Sequence, residues 1–304
     1  MKHIFLINSF TIGKKSELLI QRINSVCKNN SIDYIIEIIN DKNSTEEISD
    51  KYKDSENIIL AVGGDGTINR VLNKIVGTKN VLGFIPYGTG NDLYKSALRQ
   101  CKDLFNTVDI VKINEKHFIN VACFGIDADV GNNSKIIKSK LIPKKQRYNF
   151  GVLYSFVKYK GRDFEVIVNK EKINNKFTTI VVCNGMFYGN GYNIAPSSEL
   201  NNGKLDIFLA PNLNKLNMLK LILSMKKGKH ETSDKIRKIE SESITIKSDM
   251  NVISNVDGEE LESGEFNIKI IKSGITLYFN KQLINEILNK WLWYNELNNR
   301  RFLW

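Results

Sequence analysis

The sequence predicts an α/β protein with two parts. An N-terminal doubly wound, mostly parallel sheet domain spans residues 1–106, and a β-rich second domain spans residues 107–280. Three observations carry this reading. Short apolar runs alternate with helical apolar periods through the first part, the pattern of a parallel sheet built from βα units. Two of those runs, Ile58–Val62 and Val81–Ile85, end in glycine turns that lead straight into helical sequence. From Phe164 onward the chain reads as successive β segments separated by short turns.

Taken in order, residues 3–7 (HIFLI) form a first strand, and residues 8–15 a loop into a helix with apolar positions Leu18, Leu19, Ile23 and Val26. Tyr34–Ile39 is the second strand, and a helix with Thr45-Glu46-Glu47 in its first turn leads to the third, Ile58–Val62. Gly63-Gly64-Asp65-Gly66-Thr67 follows, and then Ile68, Val71, Leu72, Ile75 and Val76 recur at helical spacing. Strand Val81–Ile85, the turn from Pro86 to Asp92 and a helix from Leu93 repeat the arrangement. Thr107–Ile113 and His117–Phe124 read as paired strands with a turn at Asn114-Glu115. The later strands are Phe164–Val168, Phe177–Asn184, Lys204–Ala210, Ser243–Ile246, Asn251–Val256, Phe266–Ile271 and Ile275–Phe279, interrupted by one helix at Leu216–Met225. Residues 281–304 form an amphipathic helix with an aromatic face, expected to pack back on the first domain.

The informative stretch is 58–92. A strand that enters a glycine turn and leaves as a helix gathers backbone N–H groups and a positive dipole end at one point, which suits phosphate. Glycine serves there because a Cβ would block the turn and the approach of a ligand. Taken alone, either turn reads equally well as a tight connection whose Thr and Asp cap a helix. Two of them at the ends of consecutive strands favour a ligand site, because open α/β sheets bind ligands at that edge.

GGDGT at 63–67 together with PYGTGND at 86–92 resembles the catalytic domain of the diacylglycerol kinase family, above all its soluble bacterial lipid kinases. GGDGT alone would also fit NAD kinases and phosphofructokinases; the second motif is specific to the lipid kinase branch. The resemblance implies an ATP-dependent, Mg²⁺-dependent kinase acting on a lipid hydroxyl, with diacylglycerol converted to phosphatidic acid, and a sandwich-like second lobe. It implies nucleotide contacts at Asn8, Asn40, Gly63, Gly64, Asp65, Gly66, Thr67, Asn69, Gly88, Thr89 and Asn91, and Mg²⁺ held by Asp65 and Asp92. It places the catalytic acids in Asp257-Gly258-Glu259, with Glu259 as general base and Asp257 supporting it or the metal; Asp65 is the second candidate base. Asp-Gly at a strand end is also the common chemistry of a hairpin turn. Asn202 stands where some members carry the aspartate of a structural Mg²⁺ site, and its amide oxygen brings no charge. Two further departures are Arg70, where relatives carry Glu, and a loop after Asn8 that lacks the usual proline.

The 304 residues carry 42% apolar and 25% charged side chains, an ordinary globular balance that leaves volume for a core. The net charge of +11 points to an anionic partner or surface. With neither a basic-aromatic RNA motif nor a helix-turn-helix pattern, an anionic membrane is preferred to nucleic acid, and a basic but inert surface in a Lys- and Asn-rich proteome reads equally well. Residues 135–147 read either as a solvated helix end or as a membrane-facing lip, and the C-terminal aromatics either pack on the first domain or touch membrane or another subunit. Cys27, Cys101, Cys123 and Cys183 have neither metal nor redox spacing and read as core residues. The first ten residues turn polar too soon for a signal peptide, so a cytoplasmic protein peripherally associated with membrane is expected. The partners expected are a lipid alcohol and, for a homodimer, a second copy. Neither G-x-S-x-G nor a P-loop is present, which disfavours hydrolase and P-loop NTPase chemistry. Two alternatives stay open: an NAD-kinase-like enzyme of a soluble alcohol, and a non-catalytic nucleotide- or lipid-binding regulator.

Overall fold

Residues 1–9, 16–39, 50–126, 159, 161–189, 191–225 and 228–288 are described by the structure, a computed structural model. The chain divides into two units. One holds Met1–Ala97, Cys101–Val108 and the described residues from Ile275 onward; the other holds Leu98–Gln100 and Asp109–Gly274. The sequence division was drawn at 106/107 and 280/281; by contacts the chain changes unit at 108/109 and, inside a strand, at 274/275.

The first unit is built on a parallel sheet. Its strands are β1 (Lys2–Asn8), β2 (Tyr34–Ile39), β3 (Asn57–Gly63) and β4 (Val81–Pro86), in the order β4-β3-β1-β2. β1 pairs in parallel with β2 and β3, and β3 with β4. Every residue of β3 and β4 is buried, as expected of parallel strands covered on both faces. Leu277 and Tyr278, at the end of the last strand, extend the sheet in parallel beside Leu82 and Gly83 of β4. Helix α1 (Ser16–Asn29) buries Leu19, Ile23 and Cys27, one residue every four. Leu18 is 52% exposed, so the predicted stripe is corrected: Cys27 takes the buried position, and Leu18 lies around the helix from it. Helix α2 (Asp65–Ile75) buries Ile68, Val71, Leu72 and Ile75, whereas Val76 already has the extended backbone of a cap. Helix α3 (Asp92–Gln100) follows β4.

In the second unit the described strand pairs with assigned register are antiparallel, with strand order β13-β12-β9-β7-β14-β15. These strands are β7 (Val121–Gly125), β9 (Glu171–Cys183), β12 (Leu205–Pro211), β13 (Arg237–Ser241), β14 (Ser243–Val256) and β15 (Glu259–Tyr278). β8 (Arg162–Val168) pairs with β9 and β14, and β5 (Phe105–Ile113) pairs with β6 (Lys116–Phe118) and β15. A small separate hairpin joins β10 (Phe187–Tyr188) and β11 (Tyr192–Asn193), and helix α4 (Lys215–Met225) follows β12. Helix α5 (Lys281–Leu288) belongs to the first unit, where Asn30 of the α1 end donates to Glu286 at 2.9 Å.

Several predicted boundaries change for physical reasons. Ser243–Ile246 and Asn251–Val256 are one strand whose register shifts between Lys247 and Val252, so the polar interval is an irregularity within β14. Phe266–Ile271 and Ile275–Phe279 likewise merge in β15, with Ser273 at φ 53° marking the polar interval. The predicted strand His117–Phe124 splits, because the amides of Ile119 and Asn120 turn to a carboxylate from elsewhere in the chain. β13 escapes prediction because RKIES carries a single large apolar residue. The core of this unit includes Phe118, Phe124, Phe164 and Phe266, and the rings of Phe124 and Phe266 meet edge-on at 4.9 Å. Phe266→Ala is expected to cost about 3–5 kcal/mol, read as a lower urea midpoint at unchanged slope.

Candidate functional site

The two glycine turns lie against each other because β3 and β4 end level. Gly63 is in register with Pro86, and Tyr87 donates its N–H to the Gly63 carbonyl at 2.8 Å. A Cβ on Gly88 would stand 2.4 Å from the Cα of Gly64, and a Cβ on Gly64 would stand 3.2 Å from the Cα of Gly88. The glycines are therefore required first by the contact of one turn with the other, backbone on backbone. A Cβ on Gly63 would meet the Oγ1 of Thr67 at 2.5 Å. Gly64 caps α2 in extended conformation, with Thr67 and Ile68 donating to its carbonyl.

The polar side chains of the motifs are drawn together by these turns. Asn8, at the end of β1, donates its amide to the Oγ1 of Thr67 at 3.1 Å, and both residues are buried. Asn69 is buried and accepts from Asn73 one helical turn on. Arg70, the departure from the expected Glu, turns its Nε back to the Gly66 carbonyl at 3.2 Å. Asn91 takes the left-handed conformation at φ 51°, and its amide accepts from the N–H of Gly88 and donates to the Gly88 carbonyl, each at 2.9 Å. That exchange fixes the turn and leaves Thr89 exposed at its tip. Asn40 lies outside the described residues, as do 135–147 and 289–304.

Asp65 joins the two motifs. It begins α2, and its Oδ1 accepts the N–H of Leu93 at 3.1 Å in the first turn of α3, where the helix dipole favours an anion. A Cβ on Gly90 would lie 2.9 Å from Oδ2 of Asp65 and 3.2 Å from Oδ2 of Asp92, so both carboxylates flank the same point of backbone. Burial and then the charge of Asp92 raise the pKa of Asp65, against the lowering influence of the α3 amides and Lys95. Lys95 binds Asp92 at 3.1 Å and the Gly90 carbonyl at 2.7 Å. Among the described residues no group of three or more His, Cys, Asp or Glu gathers as a metal cage. The Asp65–Asp92 pair nevertheless fits Mg²⁺, which is commonly held by one or two carboxylates together with substrate phosphates.

In the second unit, Asp257 and Gly258 form the two-residue loop between β14 and β15, with Val256 paired to Glu259. Both loop residues have positive φ, 47° and 88°, the hairpin geometry expected of Asp-Gly. The carboxylate of Asp257 is buried and accepts N–H groups from three consecutive residues: Ile119 at 2.9 Å, Asn120 at 3.2 Å and Val121 at 2.8 Å. Its own N–H donates to the Val121 carbonyl at 3.0 Å. Asp257 thus clamps the hairpin to the β6–β7 break, and half-buried Glu259 stands at the start of β15 beyond the clamp. Asn202 is exposed and its Oδ1 accepts the N–H of Lys204, which makes it a turn residue here. Sequence reading missed Asp109, a buried acid inside an apolar strand, which accepts N–H groups from Gly203 and Ser273, each at 2.7 Å. Its isolation within apolar sequence was the available signal, since a buried acid needs partners.

Comparison with known proteins gives two family matches. Residues 2–122 match the diacylglycerol kinase catalytic domain, and residues 120–278 match the YegS C-terminal NAD kinase beta sandwich-like domain. A diacylglycerol kinase of Staphylococcus saprophyticus is 24% identical over 269 residues, covering 80% of this chain and 83% of that one. A diacylglycerol kinase of Bacillus subtilis is 24% identical over 222 residues, covering 66% and 71%. The crystal structure of a diacylglycerol kinase from Bacillus anthracis shares the fold, with a TM-score of 0.70 at 18% identity over 92% of this chain and 97% of that one.

Three variants test this geometry. Gly88→Ala forces a Cβ against Gly64 and is expected to cost about 1–3 kcal/mol, read by urea denaturation. Asp257→Asn breaks the match between two acceptor oxygens and three donors, at about 1–3 kcal/mol, by the same measurement. Asp65 holds its proton more tightly folded than unfolded, so its effect on stability is lost as pH rises from about the ordinary 3.8 through the raised value. Without divalent metal, Asp65→Asn should therefore melt at or above wild type at neutral pH, and this advantage should vanish in acid.

Proposed function

We propose, from the membership of the diacylglycerol kinase family that the matches over residues 2–122 and 120–278 together show, that the chain is an ATP-dependent lipid kinase that converts diacylglycerol to phosphatidic acid. The observation that carries the reading is the pair of apposed turns with Asp65 and Asp92 side by side. Lys95 balances part of this charge, and phosphoryl transfer needs a metal cation where polyphosphate is held.

The parts divide as follows. The backbone of Gly63–Thr67 and Gly88, with the side chains of Thr67, Asn69 and Thr89, binds the polyphosphate, Asn8 and Asn91 support the nucleotide-binding turns, and Asn40, outside the described residues, is assigned to the nucleotide by the family resemblance alone. Asp65 and Asp92 hold Mg²⁺, which when bound neutralises phosphate charge. Glu259 accepts the proton of the lipid hydroxyl as its oxygen bonds to the γ-phosphorus and ADP leaves with the electrons of the broken P–O bond. Asp257 acts through Glu259 as a positioning residue, because three backbone N–H groups already occupy its carboxylate. Asp65 is the second candidate base. Asn202 adds no charge to a structural metal site and is not required for transfer. A second reading, a kinase of a soluble alcohol, is favoured by the NAD-kinase-like description of the match over residues 120–278.

The test is transfer of label from γ-labelled ATP to organic-extractable product, with diacylglycerol in mixed micelles and NAD in parallel. Label in phosphatidic acid that falls about 10²-fold or more in both Asp65→Ala and Glu259→Gln supports the proposal. Label in the soluble acceptor alone moves the assignment to the second reading. ATP bound with no label in either acceptor refutes both.

A further inference from the structure

Helix α4 has one face covered by described residues of the second unit and one that the described residues leave open. Met218 and Leu221 are buried, and Met218 packs with Ile126 and Tyr159. Leu216, Leu219 and Leu223 stand 62%, 47% and 60% exposed. Their spacing of three and four residues lines them up in one stripe. Single exposed leucines need no explanation, but an apolar stripe along a helix marks an interaction surface.

Along the helix and the residues flanking it in sequence, the charge has one sign. From Ile207 to His230 the sequence holds no Asp or Glu, and it carries Lys215, Lys220, Lys226, Lys227 and Lys229. Lys215 reaches the Tyr159 carbonyl at 2.6 Å, while Lys220 and Lys229 are exposed. Exposed leucines beside lysines without acids suit a layer whose surface is anionic and whose interior is hydrocarbon. Pairing with a second copy of the same face would instead bring lysines against lysines across a two-fold axis.

We propose that α4 lies on an anionic bilayer. Leu216, Leu219 and Leu223 enter the boundary between headgroups and acyl chains, and Lys220 and Lys229 meet lipid phosphates. This segment is distinct in sequence from 135–147 and from the C-terminal aromatics. It rests on the lipid-kinase reading only for why the protein visits a membrane, and the adsorption itself requires no turnover.

The test is flotation of the full chain with phosphatidylglycerol/phosphatidylcholine vesicles and with pure phosphatidylcholine vesicles, without ATP or diacylglycerol. Wild type is expected to float with the anionic vesicles, less so at high salt. The triple variant Leu216→Gln, Leu219→Gln, Leu223→Gln should partition about tenfold more weakly or less, and Lys220→Glu with Lys229→Glu should weaken binding and flatten its salt dependence. These side chains are exposed, so unchanged melting would show that the variants fold. An environment-sensitive fluorophore on Leu219→Cys should shift to the blue on anionic vesicles. The inference is overturned if wild type floats with neither vesicle, if the triple variant floats like wild type, or if the fluorophore does not shift. It is also overturned if the triple variant loses only a dimer, seen by sedimentation velocity. Failure here leaves label transfer to diacylglycerol in mixed micelles intact, whereas failure of the kinase reading leaves flotation unchanged.

Discussion

The approach of Gly64 to Gly88, close enough that one Cβ would stand 2.4 Å from the neighbouring Cα, governs the placing of every charged group in the first unit's site. Turns with side chains there would part, and Asp65 could no longer cap α3. Three contacts reinforce the junction: the Tyr87 N–H on the Gly63 carbonyl, the Asn91 amide on Gly88, and the Asp65 carboxylate on Leu93. Two βα units are thereby joined at their turns. This is backbone complementarity, which tolerates no conservative replacement by a larger residue.

Three aspartates illustrate how one side chain type serves different ends. Asp257 and Asp109 are consumed by backbone amides and hold distant segments of the second unit in place. Asp65 also accepts a backbone amide, but its burial, and after it the charge of Asp92, outweigh those hydrogen bonds, and its proton affinity rises. A carboxylate held under that penalty is available to a cation or a proton. The difference separates an acid that stabilises the fold from one that the fold maintains at a cost.

The Asp257 clamp also bears on how the second unit presents Glu259. A two-residue hairpin is stiff, and anchoring it at Ile119–Val121 places the start of β15 by hydrogen bonds from a neighbouring strand end. A general base needs defined geometry before it needs a particular pKa. The break between β6 and β7 follows from this anchoring, since amides given to a carboxylate cannot also serve a sheet ladder.

Much of this protein was legible in its residues. The runs Ile58–Val62 and Val81–Ile85 read as buried strands, and GGDGT and PYGTGND as glycine turns leading from them into helices, because apolar period and glycine chemistry are local properties. Asp257-Gly258 announced a hairpin for the same reason. Long-range partners were beyond sequence reasoning. It could not show that Gly88 is glycine because of Gly64, that Asp257 belongs to the amides of 119–121, that Asp109 holds Gly203 and Ser273, or that Leu216, Leu219 and Leu223 are the uncovered side of α4. An apolar helical period looks the same whether one face or the other is covered, and a carboxylate does not name its donors. Those choices are made by contacts between residues far apart in the chain, and only the folded structure brings them together.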